Sequence, residues 1–137
     1  MTRSLVYTSL LVPGYDEAVA FFTQVLRWQV LQDLRLSPAK RWVVVSPGGP
    51  DDRGGALLLA RASTPEQRAL IGHQGGGRVW LFLHTHDLDA DMAHMRAHGV
   101  HFTEAPRSEP YGRVVVFLDP WGNRWDLIQP DTSRQAP

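Results

Sequence analysis

Apolar and polar residues follow two similar series along the chain, and each series predicts strands around one helix. In the first series, the apolar run from Leu5 to Val12 predicts a strand, which Pro13-Gly14 ends. Asp16 is then a plausible N-cap, because its short carboxylate can accept from the first backbone amides of a helix. Helical spacing follows at Ala18, Val19, Phe21, Phe22, Val25 and Leu26. Extended segments are predicted at residues 28–31, 42–45 and 56–60.

The second series begins after Gly75-Gly76-Gly77, which we interpret as a hinge. Residues 79–85 predict a strand, and Asp87 or Asp89 caps a helix that Gly99 ends as the C′ residue. Extended segments are predicted at residues 100–102, 114–118 and 125–129. Residues 61–78 then form a linker, and the polar tail 131–137 is expected to be disordered.

The pattern of each half therefore predicts the order β-α-β-β-β, in which three consecutive strands follow the helix. This order argues against a purely alternating βαβ fold. We expect one domain over residues 1–137, of class α+β, built from two tandem βαβββ modules at about residues 5–60 and 79–130. The modules are expected to form a curved, cup-like mixed sheet with the helices outside.

The net charge, the length of the apolar runs and the lack of cysteine limit which partners the protein is expected to bind. Among 137 residues, 14 Lys and Arg balance 14 Asp and Glu, so the formal net charge is zero. Nucleic acid and anionic membranes are not expected as partners, because both attract basic proteins. Apolar runs fall short of the roughly 20 residues that span a bilayer, and no signal-peptide core is present, so we expect a cytoplasmic protein. The absence of cysteine excludes disulfides and thiolate metal sites, and the near-zero charge permits a homodimer.

One carboxylate stands out in the last predicted strand. The turn Asp119-Pro120-Trp121-Gly122-Asn123 precedes an alternating segment in which Asp126 has apolar neighbours on both sides. A charge at such a position costs free energy unless it is paired, hydrogen-bonded or bound to a metal. This strand is therefore expected to hold a site or the remains of one.

The repeat, the helix segment 15–26 (YDEAVAFFTQVL) and the turn at 119–123 (DPWGN) resemble the glyoxalase/bleomycin-resistance/extradiol-dioxygenase superfamily, also called the vicinal oxygen chelate superfamily. The resemblance covers about residues 5–130. It implies the cup-like fold, but not one function, because members isomerise, oxygenate, transfer groups or only bind drugs. Arg27 stands where the family commonly has a glycine after the first helix.

The resemblance also implies where a metal would be held. Metal-using members take ligands from the first strand of each half, from the last strand of the first half and from a carboxylate on the final strand. Here those positions hold Tyr7, Trp80, the leucines at 57–59, and Asp126. Divalent ions of this kind prefer imidazole and carboxylate ligands. We therefore expect no metal cofactor. A relocated divalent metal site at His84, His86 and Asp126 is kept as an alternative.

Period-two alternation predicts which side chains face the cup. They are Tyr7, Ser9, Trp80, Phe82, His84, Arg124 and Asp126. We interpret this set as a site for a flat or aromatic small molecule, with His84 and Asp126 as the candidates for any catalytic role. The structural alternative is that the aromatic rings fill the cup while Asp126 pairs with Arg124 or accepts the Tyr7 hydroxyl.

The remaining histidines and the segment 107–113 each allow two interpretations. His94, His98 and His101 could bind a second metal or simply favour the helix C-terminus, and His73 could be a mobile acid–base group or a solvated loop residue. Residues 107–113 could close over an anionic ligand through Arg107 or Arg113, or form an exposed hairpin.

Three functions remain open from the sequence. The leading one is metal-independent binding of a small aromatic molecule. The second is a divalent-metal enzyme of the lactoylglutathione-lyase or dioxygenase type, and the third is a non-catalytic interaction domain with a filled cup.

Overall fold

Strands of the described residues form two mixed sheets, one in each half of the chain. The computed structural model describes residues 2–48 and 54–131. Its contacts divide the chain into two units, Met1–Ile71 and Gly72–Pro137, and each unit contains one sheet. The α+β class and the two βαβββ modules are confirmed. The predicted tail lies outside the described residues from position 132 onward.

The first unit carries a four-stranded sheet in the order β1-β4-β3-β2. Strand β1 pairs parallel with β4, and the other pairs are antiparallel. The elements are β1 (Tyr7–Val12), α1 (Tyr15–Ala20), a π-helical segment (Phe21–Val25), β2 (Gln29–Arg35), β3 (Arg41–Ser46), β4 (Ala56–Arg61) and α2 (Pro65–Leu70). Helix α1 contacts β3 and β4, so the apolar side chains of these elements form the core of the unit.

The start of the first helix differs from the prediction. Gly14 is the N-cap and α1 begins at Tyr15, so Asp16 lies in the first turn and makes no cap hydrogen bond. Its Oδ1 instead accepts from Arg41 Nη1 at 2.7 Å, and Arg41 also binds Asp33 through two hydrogen bonds. The N-cap prediction for Asp16 was wrong because an ion pair with a distant strand uses its carboxylate.

The residue after this helix adopts a conformation that suits glycine. Among the described residues other than glycine, only Arg27 has a positive φ, at 60°. This is the left-handed region, which costs a side-chain-bearing residue free energy. The backbone at Arg27 therefore adopts the left-handed conformation that glycine adopts more easily.

A short helix interrupts the segment that was predicted as a linker. Helix α2 has Thr64 as its N-cap, whose side chain accepts from Gln67 N, and Pro65 as its first residue. The Gln67 Oε1 accepts in return from the backbone of Ser63 at 2.8 Å. Threonine, proline and glutamine in this order are a recognisable helix start. The prediction of a linker over residues 61–78 did not include this helix.

The second unit carries a five-stranded sheet in the order β5-β9-β8-β6, with β7 also paired to β8. Strand β5 pairs parallel with β9 and the rest are antiparallel. The elements are β5 (Val79–His84), α3 (Leu88–Ala97), β6 (His101–Phe102), β7 (Arg107–Glu109), β8 (Gly112–Leu118) and β9 (Arg124–Pro130). Asp87 caps α3 by accepting from Ala90 N, and Gly99 follows its C-cap with φ 82°, as predicted.

Strand β7 is a further addition to the predicted elements. Residues 107–109 pair with β8, so the segment forms the hairpin that was the alternative to a closing loop. Gly112 begins β8 with φ 144°, and a Cβ there would lie 2.2 Å from the carbonyl oxygen of Gln129. The close approach of β8 and β9 at this point therefore requires a glycine.

The core of the second unit forms on one face of its sheet. Phe117 and Trp125 stack with ring centroids 5.5 Å apart, and Leu127 is fully buried. Helix α3 contributes Leu88, Met92 and Met95, which are also buried. Because successive side chains of a strand alternate between faces, the burial of Trp125 and Leu127 on this face places Asp126 on the other.

The turn between β8 and β9 is organised by one carboxylate. Asp119 is only 4% exposed. Its Oδ1 accepts from the backbone amides of Trp121, Gly122 and Asn123 at 2.9–3.1 Å. Its Oδ2 accepts from Asn123 Nδ2 at 2.9 Å and from Trp125 Nε1 at 3.1 Å. The turn that suggested the family is therefore held by a fully used side chain, which the conformational preferences of its residues did not reveal.

None of the helices in the described ranges combines the length and apolar composition needed to cross a bilayer.

We expect Asp119→Asn to lower the free energy of unfolding by about 2–4 kcal/mol, since hydrogen bonds to a charged group contribute about 1.5–3 kcal/mol each and do not add fully. The amide also turns donor hydrogens toward Asn123 Nδ2 or the backbone amides. Urea denaturation measures the change. The control is Asp89→Asn, an exposed carboxylate 3.2 Å from Arg113, which should cost less than about 1 kcal/mol. Equal losses in both variants would contradict the role assigned to Asp119.

Candidate functional site

The face of the second sheet opposite α3 carries two rows of side chains. In the first row, Phe82 of β5 is the register partner of Asp126, which is in turn the partner of Val116. The second row joins His84, Ile128, Val114 and Arg107, from β5 across to β7. Partners in register lie side by side on one face of a sheet. The structure thus places Phe82, His84 and Asp126 together.

Asp126 is buried on this face without full use of its carboxylate. It is 5% exposed, and its Oδ1 has no hydrogen-bond partner among the described residues. Its register partners on either side, Phe82 and Val116, cannot form hydrogen bonds through their side chains. Burial raises the pKa of Asp126 above its usual range, the positive charge of Arg107 opposes that rise, and the charge of Glu104 adds to it. A buried carboxylate oxygen that lacks a hydrogen-bond partner costs free energy. A hydrogen-bond donor placed at this oxygen would remove that cost.

Arg107 is the cation that acts on Asp126. It forms ion pairs with Glu104 and with Glu109, whose Oε1 lies 3.3 Å from Arg107 Nε. The sequence prediction considered Arg124 as the partner of Asp126, but the charge that lowers the pKa of Asp126 comes from Arg107. Arg107 was considered only as a loop residue that could meet an anionic ligand, and its place on the face of Asp126 was missed because β7 was not predicted. The Arg107–Val114 register would have revealed it.

The exposed groups of this face lie at the edge strand. Phe82 is 64% exposed and His84 is also exposed, so an apolar surface and a polar ring adjoin the buried carboxylate. Arg124 is exposed at the start of β9. A bulge between Val79 and Leu81 breaks the period of two, and Trp80 packs against Gly75, where a Cβ would lie 2.8 Å from that of Trp80. The glycine run is thus partly a packing surface for Trp80.

The two remaining predicted residues lie in the first unit. Tyr7 is exposed and contacts Trp42 edge-to-face, with ring centroids 6.1 Å apart. Ser9 is the register partner of Leu58. The seven predicted residues therefore divide into two on β1, in the first unit, and five on β5 and β9, in the second.

The first unit also contains a pocket of about 700 Å³ that was not predicted. Its apolar part includes Leu11, Trp42, Leu58 and Ala60. The polar part is contributed by the start of β3, by the end of β4 and the residues after it, and by α2, through Lys40, Arg41, Arg61, Ser63, Gln67 and Arg68. The sequence predicted an extended segment at residues 42–45, but the contribution of α2 required recognition of the Thr64-Pro65 helix start.

The described residues do not fit a divalent metal. Across residues 2–48 and 54–131, no three side chains of the kind that bind metals are grouped closely enough to share an ion. His84 is the register partner of Ile128 instead of Asp126, and His86 lies beyond the end of β5. The alternative site of His84, His86 and Asp126 is therefore not assembled, and we derive no chemistry through a metal.

The other histidines are placed separately from this face. His94 and His98 lie on successive turns at the end of α3, with ring centroids 4.3 Å apart, and His98 Nδ1 is 2.9 Å from the backbone oxygen of His94. His101 belongs to β6. His73 is exposed and lies in a turn, where its backbone oxygen accepts a hydrogen bond from Gly76 N.

Comparison with known proteins gives a family. Residues 4–127 match the family described as the Glyoxalase/Bleomycin resistance protein/Dioxygenase superfamily. An uncharacterized protein of Shewanella frigidimarina (strain NCIMB 400) is 47% identical over 130 residues, which cover 94% of this chain and 95% of that protein.

Solved structures show the same fold with similar coverage. UcmS2 is 29% identical with a TM-score of 0.75, over 93% of this chain and 98% of that one. TnmS3, described as an antibiotic binding protein from Streptomyces sp. CB03234, is 30% identical with a TM-score of 0.69, over 96% of this chain and 99% of that one.

The raised pKa of Asp126 predicts a specific pH dependence. Between the unfolded pKa near 3.8 and the higher folded pKa, the folded protein holds the proton more tightly, so stability falls as pH rises through this window. Asp126→Asn cannot ionise. We therefore expect the stability of this variant relative to the parent protein to increase from pH 4 to a plateau above the folded pKa, as measured by urea denaturation across pH. A constant difference in stability between Asp126→Asn and the parent protein across this pH range would contradict the assignment.

Proposed function

Because the chain belongs to the glyoxalase/bleomycin resistance protein/dioxygenase superfamily, we propose that it binds a small polar-aromatic molecule, without a metal, on the face of the second sheet that carries Phe82, His84 and Asp126. The observation that carries the proposal is the buried Oδ1 of Asp126, which has no hydrogen-bond partner among the described residues. A ligand that donates a hydrogen bond to this atom would remove the cost of leaving it unpaired.

The ligand class follows from the neighbours of this carboxylate. Phe82 lies beside Asp126 in register and exposes 64% of its surface, so it offers a ring for stacking. His84, in the next row, offers a ring nitrogen for a second polar contact. An aromatic body with an N–H or O–H group at its edge satisfies both features. A cationic donor gains further, because Asp126 is negative once it ionises.

Binding fits the relatives and the donor set better than metal chemistry. TnmS3 is described as an antibiotic binding protein. An aromatic surface with a few placed polar groups is typical of small-molecule sites. The metal enzyme would need ligands that the described residues do not group. Neither His84 nor Asp126 is therefore assigned a catalytic role, and both are proposed as ligand-binding residues.

We expect 9-aminoacridine, a flat cation with N–H donors, to bind more tightly than acridine, which shares the ring system but lacks the amine. Asp126→Asn should weaken 9-aminoacridine binding about tenfold, since a hydrogen bond to a charged group contributes about 1.5–3 kcal/mol. Phe82→Ala should weaken both compounds about twofold to tenfold through lost stacking. Fluorescence titration at pH 7.5 measures these affinities.

Asp89→Asn is the matched control, because it removes a carboxylate from α3 without touching the proposed face. Its affinity for 9-aminoacridine should equal that of the parent protein. Parent-like affinity in Asp126→Asn, or equal binding of the two compounds, would exclude the proposed role of Asp126.

The affinity for 9-aminoacridine also tests whether binding is independent of a metal. Dialysis against EDTA should leave the affinity for 9-aminoacridine and the melting temperature unchanged, and added zinc, nickel, manganese or iron should not raise either. A loss of binding on chelation that is reversed by one equivalent of a divalent ion would contradict the proposal.

A further inference from the structure

Three arginines stand side by side across the first sheet, at the ends of adjacent strands. Arg35 of β2 is the register partner of Arg41 of β3. The pairing of β3 with β4 sets Val43 opposite Leu59. The same register, two residues further along, sets Arg41 beside Arg61. Neighbouring strands are about 4.8 Å apart, and like charges opposite each other destabilise a sheet. We call these three residues the arginine row.

The arginine row lies on the face of the sheet that α1 covers. Arg41 and the buried Val43 are two residues apart on β3, so their side chains share a face. On that face, Arg41 Nη1 is 2.7 Å from the Oδ1 of Asp16, in the first turn of α1. Trp42, between them on the strand, points to the opposite face and lines the pocket of about 700 Å³. The row therefore belongs to the side of the sheet that faces away from that pocket.

The protein supplies fewer carboxylates to the row than the row has arginines. Both oxygens of Asp33 accept from Arg41, and Asp16 accepts from the same guanidinium. Among the described residues, neither Arg35 nor Arg61 forms an ion pair with a carboxylate. Three positive charges thus meet two negative ones, and both negative groups are bound to the middle arginine. An anion placed beside the outer two would relieve the repulsion along the row.

A crevice of about 260 Å³ opens between the arginine row, the start of α1 and the turn after β2. All three arginines line it, and Asp16 is the one carboxylate among its described lining residues. Arg35 is held there by a hydrogen bond from its Nη1 to the backbone oxygen of Pro38, at 3.3 Å. Sites for drug-sized molecules usually measure roughly 300–1,000 Å³. The crevice is smaller, so it fits an anionic group with at most a small substituent.

We propose that this crevice binds a phosphate group, either as inorganic phosphate or as a small phosphate monoester. A carboxylate has two oxygens in one plane and serves a single guanidinium, as Asp33 does for Arg41. The tetrahedral oxygens of phosphate point in several directions, so they can accept from Arg35 and Arg61 together. The site uses none of the residues proposed for the polar-aromatic ligand, so each site can be tested without the other.

Isothermal titration calorimetry with inorganic phosphate, at an ionic strength held constant with sodium chloride, tests the proposal. We expect saturable binding with one-to-one stoichiometry. Arg35→Gln and Arg61→Gln should each weaken it about fivefold to tenfold, because each removes charge-assisted hydrogen bonds to phosphate. Asp16→Asn should strengthen it about twofold to fivefold, because it removes the negative charge that lines the crevice and releases Arg41.

Lys40→Gln is the matched control. Lys40 lines the larger pocket and not the crevice, whereas Arg35 lines the crevice and not the larger pocket. Lys40→Gln should therefore bind phosphate like the parent protein. Arg35 and Arg61 are exposed, and the Asp16 side chain is 94% exposed, so all these variants are expected to fold.

Phenyl phosphate distinguishes the two sources of the phosphate group. Equal affinity for phenyl phosphate and inorganic phosphate assigns the site to the free anion, and tighter binding of phenyl phosphate assigns it to a monoester.

Three results would overturn the proposal. The first is the absence of saturable phosphate binding by the parent protein. The second is parent-like affinity in both Arg35→Gln and Arg61→Gln. The third is a loss of affinity in Lys40→Gln as large as that in Arg35→Gln, which would place the anion on the other face of the sheet.

Discussion

The hydrogen bonds of the Asp119 carboxylate are the constraint on which the second unit depends. Five donors converge on its two oxygens, three from the backbone of the turn and two from the side chains of Asn123 and Trp125. Hydrogen bonds of this kind offset the cost of removing a carboxylate from water. The same bonds join the turn to the core, because Trp125 stacks on Phe117 of the preceding strand. Turn geometry, strand register and core packing are therefore set together.

This register determines the chemistry of the opposite face. Once Trp125 and Leu127 are fixed in the core, alternation leaves Asp126 on the other side, seven residues after Asp119. The two carboxylates are both almost fully buried but differ in their partners. Asp119 is saturated with donors and stabilises the fold, whereas Asp126 retains an unpaired oxygen and a raised pKa. A buried polar atom that the fold leaves without a hydrogen-bond partner is expected at a functional site.

The sequence was sufficient for the modules and insufficient for parts of the site. Alternation and helical spacing depend on burial, so they located the strands around Trp125 and the helix that Asp87 caps. They could not show that Asp16 would bind Arg41, because the two residues are 25 positions apart. Strand β7 is only three residues long and carries no apolar alternation, so its Arg107 could not be assigned to the face of Asp126.

The two modules carry side chains of different chemistry at one equivalent position. Ser9 and Leu58 are register partners on the parallel strands β1 and β4, as Phe82 and Asp126 are on β5 and β9. Leu58 therefore occupies the place that Asp126 occupies in the second module. Where the first module has leucine, the adjoining pocket is lined by apolar side chains and by basic ones such as Lys40 and Arg61. Where the second has aspartate, the charge is central and negative. The two sheets share one strand register but differ in the side chain at this position, an apolar leucine in the first unit and a buried carboxylate in the second.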